Sequence, residues 1–181
     1  MRFFFFVFIN LLWLNSTFAQ QGWNWPENKS KAEEKNVLYT DYLKQGDCNS
    51  ALEPHKWLLD SVPNLHVSLY QNGIKIYQCL IKEEKNKEKR NELIAKALEM
   101  FDLRIKYFKR EDYVLNRKAY YAYQYYKSNQ GEYGNLYRLF TRAYELNDKK
   151  ISNTNLVPFM DLIRRYKLSS PDSISDDEIL E

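Results

Sequence analysis

Cys48, Cys79, His55 and His66 are the residues of this 181-residue chain best equipped for metal or redox chemistry, and their number and spacing deny most of it. They are the only cysteines and the only histidines, and no close His/Cys pair offers zinc a ligand set at a recognised spacing. No metal is therefore expected. Asp47, Asp60, Glu111, Asp112 and Asp161 could act as acid and base only if the fold paired them, and helical surfaces carry such residues routinely. The chain has no nucleophile elbow, phosphate loop, HExxH or CxxC, and its five glycines make no glycine-rich loop. No catalytic residue, cofactor or enzyme activity is expected.

The residue type with most functional content is tyrosine, of which there are 15. Tyr120, Tyr121, Tyr123, Tyr125 and Tyr126 crowd a single helical segment, where Leu115, Ala119, Ala122 and Tyr126 share one apolar stripe and the other rings face elsewhere. Tyrosine joins apolar area to a polar tip at low cost in side-chain entropy, so a row of rings suits a peptide, a partner helix or a glycan. The alternative is that these rings pack between neighbouring helices and meet no ligand.

The elements that would hold these residues begin with a leader. Arg2 is the only charge before the apolar run Phe3–Leu14, broken by Asn10, and Thr17-Phe18-Ala19 supplies small residues three and one before a cut. Residues 1–19 thus read as a secretory signal peptide, with the mature chain starting at Gln20 or Gln21. The run is too short for a bilayer span, which needs about 20 residues, so no stable membrane insertion is expected after cleavage. Export places the chain in the periplasm or cell envelope, or outside the cell. Loss of Arg2 moves the formal net charge from +3 to +2, too little to suggest nucleic acid.

Residues 20–30, with Trp23, Trp25 and Pro26, read as an N-terminal arm without helical period. A helix is expected over Lys31–Gln45, with Val37, Leu38 and Tyr42 on its apolar side and Gly46 stopping it. Asn49 or Ser50 would cap a second helix in which Pro54 falls in the first turn. Further helices carry Leu69, Gly73, Ile76 and Leu80, then Asn91–Phe108 after a charged run from Lys82 to Glu92, which reads as a solvated, lengthened helix pair. Leu115, Ala119 and Ala122 mark another, and a loop over Lys127–Gly131 leads to one with Leu136, Phe140 and Ala143. The last, about Asn155–Leu168, carries Leu156, Met160 and Ile163.

Leu38, Tyr42, Gly46, Ala51, Leu58 and Pro63, followed by Leu69, Gly73 and Ile76 at a pitch of about 34 residues, resemble the tetratricopeptide repeat (TPR). The resemblance covers residues 31–168, about three and a half units. It implies an all-α, right-handed helix-hairpin solenoid that follows the signal peptide, with Gly73 in a slot where helices approach closely; in the first unit the bulky Tyr39 occupies that slot. It further implies a non-catalytic scaffold that binds a protein or peptide on the concave face of its first helices. By register, the partner-binding residues are Asn36, Tyr70, Tyr77, Asn116, Tyr120 and Tyr123, and the four tyrosines are expected to be partly exposed on one surface. Aromatic rings differ from the Lys/Asn set with which some members clamp a carboxylate. A glycan or cell-wall binder using the same tyrosines is the rival reading, and a non-functional remnant a third.

The same resemblance places Cys48 at the start of one helix and Cys79 at the end of the next, ends that a superhelix could bring near each other, and an oxidising compartment would permit a bridge. The expectation is nevertheless two unpaired, partly buried thiols. Over residues 169–181, a capping box at Ser175–Glu178 opens a helix that ends after about one turn, so Leu156, Met160 and Ile163 should lie open. This predicts a truncated member of a longer repeat family, with self-association through the uncapped helix as the alternative.

Overall fold

A computed structural model describes residues 22–175. The signal peptide expected over residues 1–19 lies outside the described residues, as does the capping box and helix start beyond Ser175.

Seven α-helices follow one another: α1 (Lys29–Gln45), α2 (Cys48–Ser61), α3 (Ser68–Glu83), α4 (Lys87–Phe108), α5 (Glu111–Tyr126), α6 (Tyr133–Leu146) and α7 (Asn153–Ser169). Short 3-10 turns occupy Gln130–Glu132 and Pro171–Ser173, and there is no strand among the described residues. Packing runs mainly between neighbours in sequence, α1 with α2, α3 with α4 and α5 with α6, and α3 and α7 also touch the first helix of the preceding pair. The fold is an all-α array of helix hairpins, the layout of a solenoid in which each pair covers the apolar side of the next.

The turns follow local chemistry. Gly46 ends α1 at φ 80°, a left-handed conformation that lacks strain only in glycine, and its N–H reaches the carbonyls of Tyr42 and Leu43. Asp47 follows at once and caps α2, its carboxylate accepting from the Ser50 N–H at 3.0 Å. The cap thus falls earlier than Asn49 or Ser50, and Pro54 sits inside α2 rather than in its first turn. Val37, expected on the apolar side of α1, is exposed; Ala32 and Tyr39 are the buried residues there. The charged run does lengthen a helix, since α4 starts at Lys87 behind the cap Asn86, about one turn earlier than Asn91. At the α4–α5 corner two consecutive non-glycine residues have positive φ, Lys109 at 61° and Arg110 at 59°. Such conformations cost on the order of 1–3 kcal/mol each and persist only where surrounding structure holds them.

The arm is not free. Asn24 donates through its backbone to Leu65 O and through its side chain to Asn64 O, each at 2.8 Å, and Trp23 stacks on His66 and Trp25. It thereby pins the connection between α2 and α3.

Two main cores result. One joins α1–α4 around Tyr39, Leu58, Leu69, Tyr70, Ile76 and Phe101 and takes in Val114 from α5; the other joins α5–α7 around Ala119, Tyr123, Phe140 and Leu162. Leu98 packs against both. Cys48 and Cys79 form a disulfide with Cα atoms 6.3 Å apart, which corrects the expectation of free thiols: α2 and α3 pack so that the start of one lies against the last turns of the other.

His55 lies between the first three helices. It is buried, its Nε2 bonds to Leu69 O at 2.8 Å, and Tyr39 meets it edge-on with ring centres 5.3 Å apart. Since Leu69 O can only accept, Nε2 carries the proton and the buried Nδ1 has no partner. Burial pushes its pKa below the ordinary 6.5, ahead of the opposing effect of that hydrogen bond. The folded state therefore binds fewer protons than the unfolded one below about pH 6.5, and stability present above that pH is lost as acid is added. Denaturant melts at pH 7.5, 6.5 and 5.5 should show this decline, and His55→Gln should flatten it over that window whatever its effect at pH 7.5. A decline of equal slope in the variant would assign acid lability to other groups.

At the end of the chain Leu156 and Met160 are exposed, as expected of an open strip, whereas Ile163 is half-buried. Ile174 folds back and is buried, its carbonyl accepting from Lys167 Nζ at 2.7 Å.

Candidate functional site

The structure separates the four tyrosines expected on one surface. Tyr70 is fully buried in α3; its hydroxyl donates to Pro63 O at 2.7 Å, its ring lies against Tyr107 and Phe108, and burial raises its pKa. Tyr123 is buried in α5, where its hydroxyl donates to Asp161 of α7 and its ring meets Phe140 edge-on. Burial and the neighbouring carboxylate push Tyr123 up to about 12. The Tyr123 hydrogen bond, aided by Arg165 and Arg164, holds Asp161 down at about 2. That set latches α7 to α5. The expectation of partial exposure is therefore corrected for Tyr70 and Tyr123, because the helices use both rings as core and as latches between elements.

Tyr77 is half-buried and borders a groove of about 460 Å³ walled by α2 and α4, with Lys56, Asp60, Lys96 and Glu99 around it. Asn36 is half-buried in α1, and its side-chain oxygen is buried without a partner. Asn116 and Tyr120, one helical turn apart on α5, are brought to one surface, while Tyr70 and Tyr77 both line the groove beside α2 and α4, so the expected residues fall into two separate places.

That surface runs along α5 to the first turn of α7. A depression of about 360 Å³ is lined by Arg110, Tyr113, Asn116 and Arg117 with Ser152 and Thr154. A second depression of about 530 Å³ shares Arg117 and Thr154 and adds Tyr120 and Tyr121. Asn116 is fixed in place, donating to Asp112 O at 3.0 Å and accepting from buried Asn155 at 3.3 Å. Tyr113 is exposed, and Arg117 Nη1 donates to its hydroxyl at 3.1 Å, which lowers the pKa of the phenol. Two guanidiniums share its ring: Arg104 at 5.3 Å and Arg117 at 5.9 Å from the ring centre.

Arg104, Arg110, Tyr113 and Arg117 escaped sequence reasoning. Arg110, Tyr113, Arg117 and Tyr120 follow one another at spacings of three, four and three, a single helical face. That signal was present and was obscured by the denser tyrosine run beside it.

Among the described residues no three His, Cys, Asp or Glu side chains gather as a metal site, and no helix is long and apolar enough to cross a membrane. No protein-family model matches the chain, and no curated protein matches it. Among solved structures, it is similar to a thermophilic TPR protein of Thermus thermophilus at 18% sequence identity, with 81% of this chain and 78% of that chain covered and a TM-score of 0.48.

Proposed function

We propose that this chain is an exported, non-catalytic interaction scaffold of the bacterial cell envelope, binding a peptide or protein along α5 and the start of α7. The observation that carries this is the continuous strip Tyr113, Asn116, Arg117, Tyr120 and Tyr121, which pairs aromatic area with hydrogen-bonding groups along one helix. Recognition surfaces concentrate such aromatic and arginine side chains. Export is supported by the leader pattern in residues 1–19 and by the Cys48–Cys79 bridge, since disulfides persist in oxidising compartments. The exposed Leu156 and Met160 of α7 favour self-association as a further partner contact.

The test separates exposed rings from buried ones. Tyr120→Ala should weaken a partner complex while changing stability by less than about 0.5 kcal/mol, as surface changes do. Tyr70→Ala, which empties a core position and strips Pro63 O of its donor, should cost about 3 kcal/mol. Crosslinking from position 120 in envelope extracts, compared with crosslinking from exposed Val37, reads the partner directly. Equal products from both positions would sink the proposed surface, and retention on polysaccharide in their place would favour a glycan binder.

A further inference from the structure

The charges around Tyr113 are unbalanced. Arg104, Arg110 and Arg117 converge there, and the one carboxylate lining the depression, Asp112, is held by Arg110 through paired hydrogen bonds of 3.2 Å. Arg104 is 9% exposed, its guanidinium lies over the face of the Tyr113 ring, and no carboxylate among the described residues forms an ion pair with it. Burial presses Arg104 down from its usual pKa, and repulsion from Arg117 and Arg110 adds to that effect. Like charges gathered beside a guanidinium that no carboxylate pairs oppose one another, and an anion bound next to them would relieve that repulsion.

Side chains able to donate to an anion also line the depression from both of its sides. Arg117 lines it from α5 with one nitrogen on the Tyr113 hydroxyl, Arg110 lines it from the corner before α5 while neutralising Asp112, and Ser152 and Thr154 bring hydroxyls from the start of α7. Ser152 stands at the N-cap position of that 17-residue helix but makes no cap hydrogen bond; its hydroxyl pairs with Thr154 at 3.0 Å. The start of a helix favours negative charge, and an arginine fork matches an oxyanion in shape as well as sign. Arg110 is held in this place by a backbone of positive φ at Lys109 and Arg110.

We propose that the depression between Arg110, Tyr113, Arg117 and the first turn of α7 binds a doubly charged tetrahedral oxyanion, a phosphate or sulfate group. The two rings beside it, Tyr120 and Tyr121, would then receive the apolar part of whatever carries the anion. The proposal deepens the scaffold reading and rests on it only for a protein or peptide being the carrier.

Inorganic phosphate, sulfate and acetate are titrated separately into the mature chain at pH 7.5 and constant ionic strength, followed by amide chemical shifts and thermal melts. Phosphate and sulfate should saturate, move the signals of residues 110–117 and 152–154, and raise the melting temperature. Arg117→Gln should weaken binding by about tenfold or more, as expected for loss of a charge-assisted donor, and Arg110→Gln should weaken it as well by leaving the Asp112 carboxylate without its counter-charge. Arg117→Lys should recover part of that loss, and Arg90→Gln, at an exposed position on α4, should change nothing. Acetate binding as tightly as phosphate would overturn the choice of a dianion. Shifts spread over all lysines and arginines, or equal effects of Arg90→Gln and Arg117→Gln, would overturn the site. Phosphate binding without any protein partner would refute the scaffold reading and leave the site standing, whereas crosslinking from position 120 without phosphate binding would do the reverse.

Discussion

Breaking the Cys48–Cys79 bridge is expected to lower stability by about 3–4 kcal/mol. The bridge spans 31 positions in sequence, and closing a loop of that size removes about this much conformational freedom from the unfolded chain at 25 °C. Against a net stability of about 5–15 kcal/mol the loss is large, and it should appear as a fall of about 10 °C in melting temperature. Melts with and without reductant, and of the double variant Cys48→Ser/Cys79→Ser, measure it. Reduced wild type and double variant should coincide. Alkylation of the unreduced protein should label neither cysteine, and labelling of both under oxidising conditions would refute the bridge.

Gly73→Leu should cost about 3 kcal/mol, the upper end of what overpacking brings. A Cβ added at Gly73 would come within 2.7 Å of His55 Cε1, 2.9 Å of His55 Nε2 and 2.9 Å of Met100 Sδ. Met100 can swing aside because its chain is flexible, but His55 is held by Leu69 O and by Tyr39. Gly73→Ala sets two effects against each other. Alanine gains about 1 kcal/mol of helix propensity in mid-helix, while the collision with His55 displaces a hydrogen-bonded ring in a packed core. The collision should win, leaving a net loss of about 1 kcal/mol. A denaturant melt in which both variants match wild type would reject the close crossing of α2 and α3.

Gly73 also shows how much of the fold is legible in the amino-acid sequence alone. Its place among Leu69, Ile76 and Leu80 marks a helix needing a small residue at one crossing, and Leu69, Gly73, Ile76 and Leu80 are all buried. Helix ends are readable where one residue dictates them, as Gly46 does. They are missed where a choice among cap residues depends on turn length, as with Asp47 against Ser50. Orientation of the tyrosines is less accessible, because periodicity assigns a helix one buried face while α5 packs against both α6 and α7. Ala119 and Ala122 reveal the first of those contacts, but Tyr123 serves the second and reads in sequence like its exposed neighbour Tyr120. The disulfide is open in sequence for a similar reason: pairing depends on which helix ends meet, and spacing along the chain does not fix that.

The bridge has a consequence for where the molecule yields. Both of its ends lie in the core of α1–α4, and the core of α5–α7, which carries the candidate binding strip, has no crosslink among the described residues. In a repeat array, stability is the sum of each unit's own and that of its nearest interfaces, so fluctuations are not shared equally along it. Amide protons should exchange slowly in the stapled half and faster beyond the α4–α5 corner. A ligand that settles across α5 and α7 would then spend part of its binding energy in quieting that half, and its affinity would reflect ordering as well as contact.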